Sequence, residues 1–219
     1  MAKKTRTPPP PRRPVQAPKR RVDARAPSEN RRTLIYLMLF ALSGLVILGA
    51  VLLFLALKGG DSSAAVGPRM QAAGCTFKTY PNQGRQHFSA AAATQPYKYN
   101  SFPPTSGTHD PTPAIFNAYE EPINERKLVH NLEHGGVVIQ YGKDVPASTV
   151  EQLRGFYQDS PNGIVLAPLP RLNDKIALTA WTHLSTCTEF DEGAFKTFRD
   201  AYRAKGPEPF RLQDLAPGS

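Results

Sequence analysis

The stretch from Thr33 to Leu57 constrains this chain more than any other, because it runs 25 residues (TLIYLMLFALSGLVILGAVLLFLAL) without a charged side chain. As an α-helix it would be roughly 37 Å long, enough to cross the hydrocarbon core of a bilayer with some tilt. Buried helices of soluble domains are rarely this long and apolar on every side. The stretch therefore predicts one transmembrane helix over residues 33–57.

The distribution of charge predicts the orientation of that helix. The chain carries a net charge of +9, and residues 1–32 account for all of it, with eleven Lys or Arg against two acidic residues. Because positively charged flanks stay in the cytoplasm, we expect a cytoplasmic N-terminus, a single pass through the plasma membrane and an extracytoplasmic C-terminal domain. From Thr33 onward sixteen basic and sixteen acidic residues cancel, which argues against a nucleic-acid-binding domain.

The N-terminal tail, residues 1–32, is rich in proline as well as in basic residues. Seven prolines fall by position 27, so the tail is expected to be disordered and to lie against anionic lipid of the bilayer. A cleaved signal peptide is the alternative, and DSSAAVG after the apolar stretch offers small residues to a peptidase. Signal peptides have apolar regions of about 7 to 15 residues, so we favour an uncleaved signal anchor.

The residues after the span divide into a stalk and a folded domain. Residues 58–74 (KGGDSSAAVGPRMQAAG) are small and polar and predict a flexible stalk, which leaves residues 75–219 as the extracytoplasmic domain. Cys75 and Cys187 are the only cysteines, and in an oxidising compartment they predict one disulfide that joins the two ends of this domain. A copper-binding or redox-active thiol pair is the alternative.

Periodicity predicts secondary structure mainly in the second half of that domain. Helices are expected at 123–134, ending at Gly135, at 147–158 with Ser148 as N-cap, and at 191–206; strands are expected at 137–141, 163–168 and 175–182. Residues 74–114 are rich in Pro and Gly and predict loops and short extended pieces. This order of elements predicts an α+β fold with helices packed on a small mixed sheet.

The motif HNLEH, residues 130–134, carries the clearest chemical signal. On a helix, His130 and His134 lie about 40° apart around the axis and Glu133 lies about 60° to the other side of His130, so one face presents two imidazoles and a carboxylate. Histidines at i and i+4 can bind one ion. His87 in GRQH and His109 in SGTH lie in glycine-containing loops that can aim a side chain at the same place.

Two other interpretations of these histidines remain open. HNLEH fits the H-x-x-E-H pattern of certain zinc metalloproteases, in which Glu133 would act as general base in a metal-dependent hydrolase. However, no downstream carboxylate is identifiable as the third metal ligand. No other enzyme signature appears in the chain. Alternatively, the histidines only form hydrogen bonds, and the domain is a non-catalytic interaction module of the cell envelope.

The segments SFPPTSGTH and LVHNLEHGGVVIQYG resemble a bacterial family known only as a domain of unknown function, whose members are often membrane-anchored through one N-terminal span. The resemblance extends over about residues 75–207 and includes GRQH, IALTAW and KGPE. It implies that the family's recurring histidines correspond to His87, His109, His130 and His134, and it leaves out His183. It implies no established activity.

Together these features predict a membrane-anchored protein whose outer domain binds one transition-metal ion. The four ligands are expected to be His87, His109, His130 and His134, with Glu133 as a general base or as an outer neighbour. Imidazole ligands suit zinc or copper better than calcium or magnesium. The role would be metal binding, delivery or sensing, with no catalysis required.

Overall fold

The computed structural model describes residues 29–58, 64–92 and 94–219, which form two compact units described separately below. The first is a single helix, α1, which runs over Glu29–Lys58. Its window Thr33–Ala50 has a mean hydropathy of 2.3, and no part of that window is buried. This helix could be a membrane anchor or a signal sequence. It begins four residues before the predicted span, so residues 29–32 of the predicted disordered tail belong to the helix. Residues 1–28 of that tail lie outside the described residues.

The second unit is a mixed α+β domain, as predicted. Its helices are α2 (Val66–Ala72), α3 (Glu125–Glu133), α4 (Ala147–Asp159) and α5 (Glu192–Tyr202). Its strands are β1 (Thr76–Thr79), β2 (Val137–Tyr141), β3 (Ile164–Pro168), β4 (Ile176–Ala180) and β5 (His183–Cys187).

The five strands form one sheet in the order β1-β5-β4-β2-β3. Strands β2 and β3 are parallel, because α4 carries the chain back across the sheet between them, and the other pairs are antiparallel. The outer edge of β3 is paired as well, since Leu166 exchanges backbone hydrogen bonds with Asn117 and Tyr119. That pairing holds residues 114–119 against the sheet.

Both faces of the sheet are buried, which explains why β2 reads as a nearly continuous apolar run. Val137 and Ile139 join a core formed with α2, α4 and α5. Val138 points to the opposite face and packs with Leu128 and Leu132 of α3. Among the α-helices described for this unit, α3 is the one that covers the second face, together with Leu215 near the C-terminus. The other side of α3 faces the loops that precede it.

The structure differs from the sequence prediction most clearly before β1, at β5 and at the start of α4. Residues 66–72, predicted as part of the flexible stalk 58–74, form α2, whose Val66 and Met70 are fully buried. Strand β5 was not predicted, because HLSTC lacks a run of β-branched residues, and β1 is only four residues long. Ser148 is not an N-cap: α4 begins at Ala147 after Pro146, without a side-chain cap.

Candidate metal centre

Three imidazoles and one carboxylate converge where α3 meets two loops. His87, His109, His130 and Glu133, here called the His3Glu cluster, place one ligand atom each within 4.8 Å of one another. His130 and Glu133 come from the last turns of α3, and the other two histidines come from the irregular segment before it. Such a group could hold a metal ion.

The two loop histidines are held side by side by the backbone. His87 and His109 form an isolated parallel bridge, in which the Phe88 N–H donates to the His109 carbonyl at 2.7 Å and the His109 N–H donates to the Gln86 carbonyl at 2.9 Å. Because these bonds join peptide groups, they fix the two loops without using either imidazole. Their rings meet edge-on, with centroids 4.9 Å apart.

Helix α3 is fixed to the same loops by side-chain hydrogen bonds. Asn124 caps its first turn by accepting from the Arg126 N–H at 3.0 Å. Asn131, fully buried, pairs with the backbone of Ala114: its amide donates to the carbonyl at 2.7 Å and accepts from the N–H at 3.0 Å. These contacts set where His130 and Glu133 stand relative to residues 109–114.

Backbone carbonyls select which nitrogen of each buried imidazole faces the cluster. The Nδ1–H of His109 donates to the Gly107 carbonyl at 2.8 Å, and that of His130 donates to the Asp110 carbonyl at 2.7 Å. In a neutral imidazole the other nitrogen, Nε2, then presents a lone pair. The Nε2 of His109 then faces Glu133 at 3.0 Å, and the Nε2 of His130 faces His134 Nε2 at 2.8 Å.

With the Nδ1–H of His109 donating to Gly107, a neutral His109 ring would place an acceptor opposite the carboxylate of Glu133. His109 Nε2 lies 3.0 Å from Glu133 Oε2, and His87 Nε2 lies 3.8 Å from the same oxygen. A lone pair and a carboxylate oxygen repel each other unless a proton or a cation lies between them. The arrangement therefore requires positive charge at its centre.

Burial adds to that requirement. His109 is fully buried, and His130 and Glu133 are 4% and 2% exposed, so water cannot solvate the carboxylate. Burial lowers the pKa of His130. Its hydrogen bond to the Asp110 carbonyl raises this pKa, and the neighbouring His134, His109 and His87 lower it. His87, with its side chain 48% exposed, forms the solvent side of the cluster.

Most of the predicted residues do come together. His87, His109 and His130 lie in the cluster, while Glu133, predicted as a base or an outer neighbour, stands among the candidate ligands. The i, i+3 spacing of His130 and Glu133 already put both on one helix face.

His134 lies next to the cluster. Its Nε2 is 2.8 Å from His130 Nε2, its ring stacks on Phe210 with centroids 4.1 Å apart, and its Nδ1 is 3.3 Å from the Glu208 carbonyl. The group of ligand atoms within 4.8 Å does not contain it. Its assignment as a ligand stays a prediction.

The remaining histidine and the two cysteines lie apart from the cluster. His183 stacks on Tyr202 with ring centroids 4.2 Å apart and lies 6.0 Å from the Phe77 ring, and the group of ligand atoms within 4.8 Å does not contain it. Cys75 and Cys187 are joined in a disulfide with an S–S distance of 2.02 Å. The two sulfurs are therefore bonded to each other.

Fold and site together define a protein with one apolar helix near its N-terminus and a disulfide-bonded α+β domain that carries a His3Glu cluster. The chain belongs to the family described as "Protein of unknown function (DUF3105)", whose sequence model matches residues 90–214. That range includes His109, His130 and Glu133, and it begins three residues after His87. No curated protein and no solved structure matches the chain.

Proposed function

We propose that the C-terminal domain binds a single transition-metal ion and presents it at the outer face of the membrane. The ligands are His87, His109, His130 and Glu133, and His134 is a fifth donor beside them. The role is metal binding, delivery or sensing, without a reaction of its own.

The contact between His109 and Glu133 carries this proposal. Two buried acceptors face each other at 3.0 Å, and the Nδ1–H of His109 is already committed to the Gly107 carbonyl. A proton would satisfy this one contact, whereas one metal ion would satisfy the lone pairs of the whole cluster at once. Ligand bonds of about 2.1 Å allow two donors of one ion to be at most about 4.2 Å apart, so a cluster spanning 4.8 Å needs only a small contraction.

Two of the distances between donors favour more than four ligands. Around an ion with bonds of about 2.1 Å, donors at tetrahedral angles are roughly 3.4 Å apart and donors at right angles roughly 3.0 Å apart. The separations of 3.0 Å between His109 and Glu133 and of 2.8 Å between His130 and His134 resemble the second case. Nitrogen and oxygen donors in a tetragonal arrangement suit copper(II), so we expect copper(II) to bind more tightly than zinc, as the Irving–Williams order also predicts.

The location proposed for this site follows from charge and helix length. The apolar helix is preceded by a tail with a strong excess of Lys and Arg, which favours an uncleaved signal anchor with its N-terminus in the cytoplasm. The disulfide between Cys75 and Cys187 supports an oxidising compartment for the domain. Protease added to intact cells is expected to digest the C-terminal domain and to spare an epitope placed before residue 28.

A metal-dependent hydrolase with Glu133 as general base is less well supported. A general base stands beside a metal-bound water, whereas the Glu133 carboxylate lies within the ligand group itself. An interaction module without metal would satisfy the contact between His109 and Glu133 with a proton, but it would give no reason for His87 and His130 to lie in the same cluster. We therefore favour metal binding over both alternatives.

A matched pair of variants tests the site. In both His130 and His183, Nδ1 donates to a backbone carbonyl, at 2.7 Å in each case. Asparagine preserves a donor near the Nδ1 position, so His130→Asn removes the ligand atom Nε2 with the rest of the ring and keeps a donor to the Asp110 carbonyl. We expect the purified full chain in detergent to bind one equivalent of copper(II) or zinc by elemental analysis, the His130→Asn variant to lose it, and the His183→Asn variant to keep it.

Two results would overturn the proposal. One is a wild-type chain that takes up neither copper(II) nor zinc after dialysis against each ion. The other is a His130→Asn variant whose metal content equals that of the His183→Asn control.

A further inference from the structure

The chain that follows α5 folds back over the end of α3 and forms a strap, here defined as residues 204–210. The Glu208 N–H donates to the Glu133 carbonyl at 3.0 Å, and the Phe210 N–H donates to the His134 carbonyl at 3.3 Å. A helix leaves the carbonyls of its last turn without partners of its own. The strap therefore bonds to the end of α3 that carries the His3Glu cluster.

The strap is fixed at both ends. At its start, the Ala204 N–H donates to the Gly135 carbonyl at 2.7 Å, and a Cβ at Gly206 would overlap the Glu133 carbonyl. Just beyond its other end, Leu215 is 1% exposed and packs in the core on the second face of the sheet. The fold thus sets the position of the strap beside the cluster.

The strap holds the side chain of His134 as well as its backbone. The Phe210 ring stacks on the His134 ring, with centroids 4.1 Å apart and an angle of 18° between the planes. The Nδ1 of His134 lies 3.3 Å from the Glu208 carbonyl, and its Nε2 lies 2.8 Å from His130 Nε2. Phe210 is itself 43% exposed, so its ring covers the imidazole without being part of the buried core.

The contact between His130 and His134 repeats the pattern of the contact between His109 and Glu133. The Nδ1–H of His130 donates to the Asp110 carbonyl at 2.7 Å. If His134 donates from Nδ1 to the strap, two neutral rings would place their lone pairs opposite each other at 2.8 Å. A proton on one ring would satisfy this pair alone, whereas an ion bound to His130 could use both nitrogens.

We infer that Phe210 is a positioning residue that holds His134 as the fifth donor and thereby raises the preference of the site for copper(II) over zinc. This role rests on the proposed metal function. Four ligands complete a tetrahedral zinc site, whereas copper(II) favours a tetragonal arrangement, so a fifth nitrogen in place before the ion arrives contributes mainly to copper(II). An imidazole that is free to rotate would contribute less, because binding would first have to order it.

The substitution Phe210→Ala tests this role, because it removes the ring and keeps the backbone bonds of the strap. In the purified full chain in non-ionic detergent, we expect copper(II) to bind about tenfold more weakly and zinc to stay within about threefold of wild type, both by competition with a chelator. The electron paramagnetic resonance spectrum of the copper(II)-loaded variant should move towards that of His134→Gln, which lacks the fifth donor.

A rescue variant and a control accompany this substitution. Phe210→Tyr keeps an aromatic ring for the stack, so it should retain the copper(II) affinity and the spectrum of wild type. Leu212→Ala removes an apolar side chain of similar exposure, 38%, two residues further along the chain. It should leave both affinities and the spectrum unchanged.

The outcomes separate this role from the proposed function. A wild-type chain that binds neither metal overturns the proposed function and the role of Phe210 with it. If wild type binds copper(II), the role of Phe210 alone is overturned by a Phe210→Ala or His134→Gln variant with the wild-type spectrum. Equal losses of copper(II) and zinc in Phe210→Ala, or a Phe210→Tyr variant as impaired as Phe210→Ala, would also overturn it, since Phe210 would then act only on the fold.

Discussion

At the scale of single residues, the hydrogen bonds of Nδ1 decide what the histidines can do. The Nδ1–H of His109 donates to the Gly107 carbonyl, and that of His130 donates to the Asp110 carbonyl. Outside the cluster, the Nδ1–H of His183 donates to the Trp181 carbonyl. Each bond fixes ring orientation and leaves Nε2 as the atom that faces a neighbour. What differs is the surroundings of the ring: Nε2 of His109 faces a buried carboxylate, whereas the His183 ring stacks on Tyr202.

The substitution Glu133→Gln should separate metal affinity from folding. Glutamine keeps the volume of the side chain, and its amide can donate to His109 Nε2. The melting temperature of the metal-free variant should therefore lie within about 2 °C of that of metal-free wild type, or above it. Loss of the negative charge from the ligand set should weaken zinc or copper(II) binding by about tenfold or more, measured by competition with a chelator. The exposed Glu189 provides the control, and Glu189→Gln should change neither quantity. Wild-type affinity in Glu133→Gln would remove Glu133 from the proposed ligands.

His183 gives a prediction for pH. Burial lowers its pKa in the folded state below the unfolded value of about 6.5. The unfolded chain therefore binds the proton more readily, and the stability associated with the neutral ring is present above about pH 6.5 and is lost as the pH falls towards the folded pKa. His183→Asn, which does not titrate, should show a smaller drop in melting temperature between pH 7.5 and 5.0 than wild type, by near-ultraviolet circular dichroism with metal removed. An equal drop in both proteins would contradict this.

At the scale of elements, α3 is the helix that connects the core to the site. Leu128 and Leu132 pack against the second face of the sheet, while His130 and Glu133 point to the loops. The helix ends at Glu133, His134 caps it, and Gly135 follows with a φ of +86°. A Cβ at this glycine would lie 2.7 to 2.8 Å from the backbone of Ala204 and the following residue, so the chain after α5 can approach the end of α3 only because this position lacks a side chain.

Two glycine-to-alanine substitutions should have opposite effects. Gly135→Ala combines positive φ with a backbone clash, so we expect the free energy of unfolding to fall by about 2 kcal/mol or more. Gly155 lies inside α4, where a Cβ meets nothing within 4 Å, and Gly155→Ala should stabilise the protein by about 0.5 to 1 kcal/mol through helix propensity. Thermal unfolding in detergent measures both. A destabilised Gly155→Ala variant would show that the surroundings of α4 are not as open as described.

At the scale of the whole molecule, the disulfide joins the beginning and the end of the sheet in the chain. Cys75 directly precedes β1 and Cys187 ends β5, so the bond reinforces the pairing of an edge strand with its neighbour. It also closes a loop with a sequence separation of 112 residues that contains every residue of the His3Glu cluster. The bond therefore restricts the unfolded ensemble of the part of the chain that forms the site.

Removing both cysteines should lower stability markedly. For the double variant Cys75→Ser/Cys187→Ser we expect a loss of about 2 to 4 kcal/mol, which corresponds to a fall in melting temperature of roughly 10 °C. Wild type treated with a reductant should fall by a similar amount, while the double variant should not respond to the reductant. A double variant as stable as oxidised wild type would mean that the unfolded chain is already restricted without the bond.

Local patterns explain how much could be predicted. The uncharged stretch 33–57, the strand VVIQY and the helix around HNLEH each carry their own signal within a few residues, and the structure contains a helix or strand at each. Strand β5 and helix α2 were missed because their signals depend on partners: HLSTC becomes a strand between β1 and β4, and VGPRMQA becomes a helix by packing on α5 and β1.

The sequence by itself determined the apolar helix, the disulfide partners and the pair His130 and Glu133, because helical spacing places residues three apart on one face. Only the tertiary structure decided which other side chains meet that pair. His87 and His109 reach it through backbone hydrogen bonds between two loops, and a loop's path depends on long-range contacts that no local pattern records.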